Sequence, residues 1–183
     1  MEIQTLLDAA AEVVSRVPCC WLVTQSGARP MGRILAGEDW TVHFVTDLRS
    51  HKIPEIEQHS AVQLIFQDAA QDAFVVLGGS AKLRSDAASV TRLWKKSYAL
   101  YFPTEQDRAQ AAFVEVEIGL MRLWIRGVTP EPFGLRPAVL EREGSANWRS
   151  SRVDFQTRVA SLSVQTISPA TSTPDPPVLP GWR

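Results

Sequence analysis

Residues 2–16 place Ile3, Leu6, Leu7, Ala10, Val13 and Val14 at three- and four-residue intervals between polar positions. That spacing is one face of a helix, which Pro18 prevents from continuing. The period then shortens to two: residues 19–24, 31–35 and 40–46 read as strands separated by Ser26-Gly27 and Gly37-Glu38-Asp39. In the third, Trp40, Val42 and Phe44 share one face and Thr41, His43 and Val45 the other, as in a sheet wrapped around its own core. Ser50 opens a short helix with His51, Lys52, Ile53 and Pro54 in its first turn, where a proline removes no intrahelical donor. Residues 61–66 and 74–83 predict two more strands, the second interrupted by Gly78-Gly79, a mark of a bulge or a close backbone approach.

From Ser85 the helical period returns, with Ser85 or Asp86 as cap and Val90, Leu93, Trp94, Tyr98 and Tyr101 on the buried face. Phe102-Pro103-Thr104 closes that helix, and a polar segment, 105–112, leads to the longest β-rich run, 113–126, which Gly119 could bend or split. Beyond Gly127 the composition changes, because most of the 12 prolines lie there. Residues 139–145 and 153–164 fit helix or strand equally, and 168–183 read as a disordered or extended tail. The expected class is mainly β with α, with a domain over 1–130 and a C-terminal extension over 131–183.

With 183 residues, 45% of them hydrophobic, the chain can bury one sizeable core and is short for two. A net charge of −1 lacks the electrostatic footprint of a nucleic-acid binder. The apolar runs fall far below the roughly 20 residues of a membrane span. Met1-Glu2-Ile3-Gln4 has neither the basic start nor the apolar stretch of an export signal, so the expected location is the cytoplasm. Cys19 and Cys20 are neighbours that a strand would point to opposite faces, which disfavours a disulfide and suggests small buried hydrophobes. No metal-ligand spacing occurs, and His43 and His59 stand apart from paired carboxylates. Ser26, Ser80 and Ser85 lack a nucleophile-elbow setting, and Gly78-Gly79 lacks the lysine and helix cap of a nucleotide loop. Asp68 and Asp72 read as a polar loop, and Trp94, Tyr98 and Tyr101 as core or dimer packing.

The informative stretch is 40–56, WTVHFVTDLRSHKIPEI, where a strand ends at Thr46 and a helix starts near Ser50. The Thr46 and Ser50 hydroxyls can donate, Arg49 and Lys52 carry full charge, and backbone N–H groups at a helix start favour anions, so this turn can hold a phosphate. Composition alone favours the plainer reading, a Ser50 N-cap beside a solvated face of Arg49, His51 and Lys52.

Residues 45–52, Val-Thr-Asp-Leu-Arg-Ser-His-Lys, resemble the strand-turn-helix motif with which pyridoxamine 5′-phosphate oxidase-like flavoproteins grip the phosphate of FMN. The stretch 27–33, the Trp94 to Pro103 run, 113–117 and Leu123-Trp124 are similar to the general stress protein branch of that family, over about residues 1–127. The resemblance implies an FMN-binding split β-barrel flanked by helices, with FMN between the subunits of a homodimer. It places Arg33 and Ile34 along the flavin ring or phosphate, Val45 and Thr46 beside the ring and ribityl chain, and Ser50, His51 and Lys52 around the phosphate. Trp124 would reach the ring from the partner subunit. The same fold could take FAD, a deazaflavin or haem instead. The implied activity is electron transfer from a donor such as NAD(P)H to a small acceptor; the alternative is a flavin-binding stress or sensor protein without turnover. No acid or base is identified. Vitamin B6 oxidation is not implied: the usual strand glutamine falls at about Ala73, no Arg-x-His lies near the C-terminus, and His51 stands where the motif commonly has arginine.

Overall fold

Leu6, Ala10, Val13 and Val14 are buried along one side of α1 (Ile3–Arg16), with Ile3 and Leu7 partly buried beside them. The Val17 N–H closes the last turn on Val13 O before Pro18. The computed structural model describes residues 2–32, 35–36, 39–144 and 147–151. They belong to one compact unit, Met1–Arg152. The expectations for 153–164 and 168–183 lie outside the described residues.

The sheet is antiparallel throughout and contains β1 (Cys20–Thr24), β2 (Gly27–Met31), β3 (Leu35–Ala36), β4 (Thr41–Asp47), β5 (Ala61–Asp68), β6 (Ala73–Arg84), β7 (Ala111–Ile125), β8 (Ala138–Glu143) and β9 (Asn147–Ser150). The order runs β2-β1-β5-β6-β7-β4-β3, with β8 and β9 added beyond β7. One edge of β7 pairs along its length with β6, while the other is divided: 111–117 meet β4 and 120–123 meet β8. The core lies on the face of alternate residues, including Leu22, Val42, Phe44, Leu64, Phe66, Val75, Leu77, Val114 and Val116, and α1 covers it.

Gly78-Gly79 does what paired glycines in a strand suggest. The register of β6 on β7 slips between them, from Gly78 opposite Leu120 to Gly79 opposite Ile118, so that Gly119 is the extra residue and β7 continues without splitting. A Cβ on Gly79 would come within 2.3 Å of Glu117 O, so the two backbones approach where no side chain fits.

Several boundaries differ from expectation. The second strand of the meander is 27–31 rather than 31–35, because the turn is Gln25-Ser26 and folds the chain straight back on β1, with Gly27 already opposite Thr24. Trp40 precedes β4 with φ 59°, packs partly buried against the core with Val42 and Phe44, and meets Trp148 edgewise at 6.4 Å. Residues 139–145, open between helix and strand, contain most of β8. The helix expected to run to Tyr101 ends early. Asp86 caps α3 (Ala87–Leu93) by accepting from Ser89 N at 2.8 Å, the backbone turns extended at Trp94, and 96–100 form a 3-10 turn. With the helical period broken, only Tyr98 of the expected face is buried, and Tyr101 is 66% exposed. The polar segment 105–112 contains α4 (Glu105–Arg108), which a reciprocal Thr104–Asp107 capping box starts. Cys20 is buried, and desolvation pushes its thiol up to about 12; Cys19 is exposed, contrary to the expectation that both are buried. Among the described residues no helix is long and apolar enough to cross a membrane.

Candidate functional site

Strand β4 delivers Val45 and Thr46 to the start of a turn, Asp47 to His51, from which α2 (Lys52–Gln58) departs. Asp47 begins that turn by accepting the Arg49 backbone N–H at 2.8 Å. The Ile53 N–H then bonds Ser50 O at 3.0 Å, and Pro54, still in the first turn of α2, leaves no hydrogen bond unmade. Ile53 and Ile56 bury the inner side of α2, which turns Lys52 toward β4.

Lys52 Nζ donates to Thr46 Oγ1 and to Ser50 Oγ, both at 2.8 Å. Ser50 therefore serves as acceptor for a lysine rather than as helix cap; the residue at the cap position is His51, in helical conformation and with no side-chain cap bond. Burial, and secondly the nearby Arg29 guanidinium, lower the Lys52 pKa. A half-buried ammonium whose only hydrogen-bond partners among the described residues are two hydroxyls has room in its charge balance for an anion. Arg49 does not share that role. It grips Asp47 through Nε at 2.9 Å and Nη2 at 2.5 Å, and this pairing holds the Asp47 carboxyl below its ordinary range.

Thr46 and Lys52 open into a cleft of about 710 Å³. Cofactor and small-molecule sites span roughly 300–1,000 Å³. Its near wall is the end of β2 and the β4 strand, from Pro30 to Gly32 and from Phe44 to Asp47. The far wall is the segment after α3, with Lys95, Ser97, Leu100 and Tyr101. Aromatic edges fix that wall: Trp94 meets Tyr98 at 5.8 Å and Phe102 at 5.9 Å, and Tyr98 meets Phe113 of β7 at 5.8 Å. Leu100 (81% exposed) and Tyr101 stand at the mouth, so the cleft pairs a polar, cationic floor with apolar lips.

Of the residues expected in the site, Val45, Thr46 and Lys52 line the cleft and Ser50 touches it through Lys52. His51 is exposed on the turn. Arg33 and Ile34 lie outside the described residues. Trp124 is far away within the chain: it is near the opposite end of β7 from Ala112, the register partner of Thr46, and at about 3.3 Å of rise per residue that is tens of ångströms. Sequence reasoning missed the far wall, because a continuous helix was expected there and would have buried Tyr101. The local signal was present in the doubled Lys95-Lys96 beside Trp94 and in the Phe102-Pro103 stop.

A second polar cluster lies on the other face of β4. His43 Nε2 is 3.1 Å from Glu115 Oε2 on β7, and Arg84 Nη2 donates to Glu115 Oε1 at 2.7 Å. The Arg84 hydrogen bond, opposed by desolvation and aided by the His43 contact, lowers the Glu115 pKa. Among the described residues no group of three or more His, Cys, Asp or Glu is placed to hold a metal ion.

The sequence pattern of the family described as pyridoxamine 5′-phosphate oxidase like matches residues 7–129. Similar solved structures include a protein related to general stress protein 26 from Clostridium acetobutylicum, 16% identical, TM-score 0.61, covering 77% of this chain and 96% of that one. A pyridoxamine 5′-phosphate oxidase-related, FMN binding protein from Nostoc punctiforme is 14% identical, TM-score 0.61, over 84% of this chain and 97% of that one. The general stress FMN/FAD binding protein of Xanthomonas citri is 20% identical, TM-score 0.55, over 70% and 92%. No curated protein matches the sequence.

Proposed function

The chain belongs to the pyridoxamine 5′-phosphate oxidase-like family, with its split-barrel fold, and from that premise we propose that it is a flavoprotein holding FMN in the cleft between β4 and the wall formed by 95–102. The observation that carries this reading is Lys52, half-buried and, among the described residues, bonded only to the hydroxyls of Thr46 and Ser50. Such a cation suits a phosphate, which accepts charge-assisted hydrogen bonds from the ammonium and both hydroxyls. The floor would anchor the phosphate with Lys52 and Ser50, with His51 at the turn, and Val45 and Thr46 would border the ribityl chain and ring, joined by Arg33 and Ile34. Flavin supplies the redox chemistry when bound; the chain binds and orients it. The reaction class is electron transfer from a reduced nicotinamide to a small acceptor, and the site chemistry favours FMN over FAD, deazaflavin or haem because a terminal phosphate suits the cation.

The complete site would need a second copy of the chain. Pro30, Trp21, Ile65 and Val76 form a cross-strand row on the face away from the core, with Phe74 and Trp124 paired beside it. Trp21 is 50% exposed. A largely apolar outer row of this kind suits a homodimer, and a second copy offers a route by which Trp124 reaches a cleft remote from it in its own chain.

The test is the visible absorption spectrum of the full chain after addition of FMN and desalting, followed by steady-state oxidation of NADH and NADPH with a panel of acceptors. Retained flavin bands with turnover above that of free FMN are expected. A chain that cannot retain FMN refutes the reading; retained flavin with no added turnover limits it to flavin binding.

A further inference from the structure

Lys52 lies in the field of two carboxylates, and an arginine holds each of them. On β4, Asp47 is gripped by Arg49. On α2, Glu55 sits three residues beyond Lys52, the spacing at which helical side chains meet. Glu55 Oε2 is instead occupied by Arg29 Nη2 of β2 at 2.6 Å and by Thr24 Oγ1 of β1 at 2.7 Å. The Thr24 hydroxyl and then Arg29, with Ser26, draw the Glu55 carboxyl down to about 2, so it stays charged and committed to the β1–β2 hairpin.

We infer that Arg29 is a positioning residue: by holding Glu55 on the hairpin it keeps that carboxylate off Lys52 and leaves the ammonium to an anion. The inference rests on the phosphate reading of the cleft. Arg29 is not among the residues lining the cleft, so beside its direct repulsion of Lys52 its action on the site goes through Glu55. Pro30 and Met31, the next two residues, do line it, which ties the arginine's position to the wall. The charged groups bearing on Lys52 are Arg29, Asp47 and Glu55, with Lys95 across the cleft. Because Arg29 and Glu55 act on Lys52 with opposite signs, removing both should disturb Lys52 less than removing the arginine alone. A ligand-contacting arginine would instead give an affinity loss that removing Glu55 does not restore, and a purely structural one would leave the Lys52 titration where it is.

The experiment compares the full-length wild type with R29Q, E55Q and R29Q/E55Q. In the chain without flavin, the Lys52 titration is followed by NMR of ¹³C-methylated lysines, assigned with Lys52→Arg. It should move to higher pH in R29Q, where Glu55 is released toward the ammonium, and return toward wild type in the double variant. In parallel, FMN fluorescence titration should show an affinity loss of about tenfold in R29Q, the size of an uncompensated charge at short range in a half-exposed setting, and recovery to within about threefold in the double variant. An unmoved Lys52 titration, or an affinity loss that E55Q does not reverse, overturns the inference. If the wild type fails to bind FMN, the phosphate reading falls, and the NMR arm alone decides the role of Arg29.

Discussion

Strand β4 carries two polar clusters on opposite faces, and they are built on opposite principles. On one face His43, Glu115 and Arg84 form a closed set, in which the carboxylate is shared between an arginine and an imidazole and each charge has a partner. On the other, Lys52 is bonded to two neutral hydroxyls while the nearby carboxylates are held by Arg49 and Arg29. The first satisfies its charges within the fold and joins β4, β6 and β7. The second leaves a half-desolvated cation facing a cleft. Burying a charge without a counter-ion destabilises a fold, so an arrangement that maintains one at the edge of a 710 Å³ cleft points to a ligand.

The largest expected effect removes the scaffold common to both. Gly79→Ala drives a Cβ to within 2.3 Å of Glu117 O in β7, and overpacking of that kind costs about 3 kcal/mol. Urea melts should show the loss, and a midpoint equal to wild type would mean that the bulge relaxes freely. Lys52→Ala separates the clusters: FMN affinity should fall by about 10- to 100-fold, the value of a charge-assisted contact, with unfolding free energy changed by less than about 0.5 kcal/mol. Unchanged affinity by fluorescence titration would move the phosphate elsewhere. Glu115→Gln is the converse, with a stability loss of about 1–2 kcal/mol as His43 and Arg84 lose their shared acceptor, and FMN affinity unaltered. A flavin defect in that variant would join the two clusters in one function.

The smallest effect is acid dependence. Glu55 has an ordinary value of 4.5 and is held at about 2 in the fold, so it contributes stability that is fully present above pH 4.5 and lost as pH falls through 2. Glu115 is shifted in the same direction. Stability measured by denaturant between pH 5 and 2 should therefore decline less steeply in Glu55→Gln than in wild type, and parallel curves would show that the hairpin clamp is not coupled to folding.

Much of this was legible along the chain because it depends on local rules. The period of α1, the alternation of Val42 and Phe44, and the paired glycines of β6 each follow from geometry within a few residues. The cationic turn was legible for the same reason, since Thr46, Ser50 and Lys52 lie within one turn and meet as their spacing suggests. Reading failed where a local signal was overridden. The helix after Asp86 stops at Leu93 although apolar spacing continues, since Trp94, Tyr98 and Phe102 gain more by packing on one another and on Phe113 than by staying in period. Arg49 looked like a phosphate ligand by composition, yet Asp47, two residues away, claims its guanidinium.

The sequence by itself determined the element types, the strand faces, the bulge and the cationic turn, since each is set by steric and periodic constraints among neighbours. Tertiary structure alone decided which charges would remain available. Arg29 lies far from Glu55 along the chain but within 2.6 Å of it in space, and Glu115 meets His43 across a register seventy-two residues deep. Charges interact through distance and desolvation rather than through sequence separation, so the compensation that closes one cluster and opens the other exists only once the β1–β2 hairpin lies against α2 and β4 lies against β7.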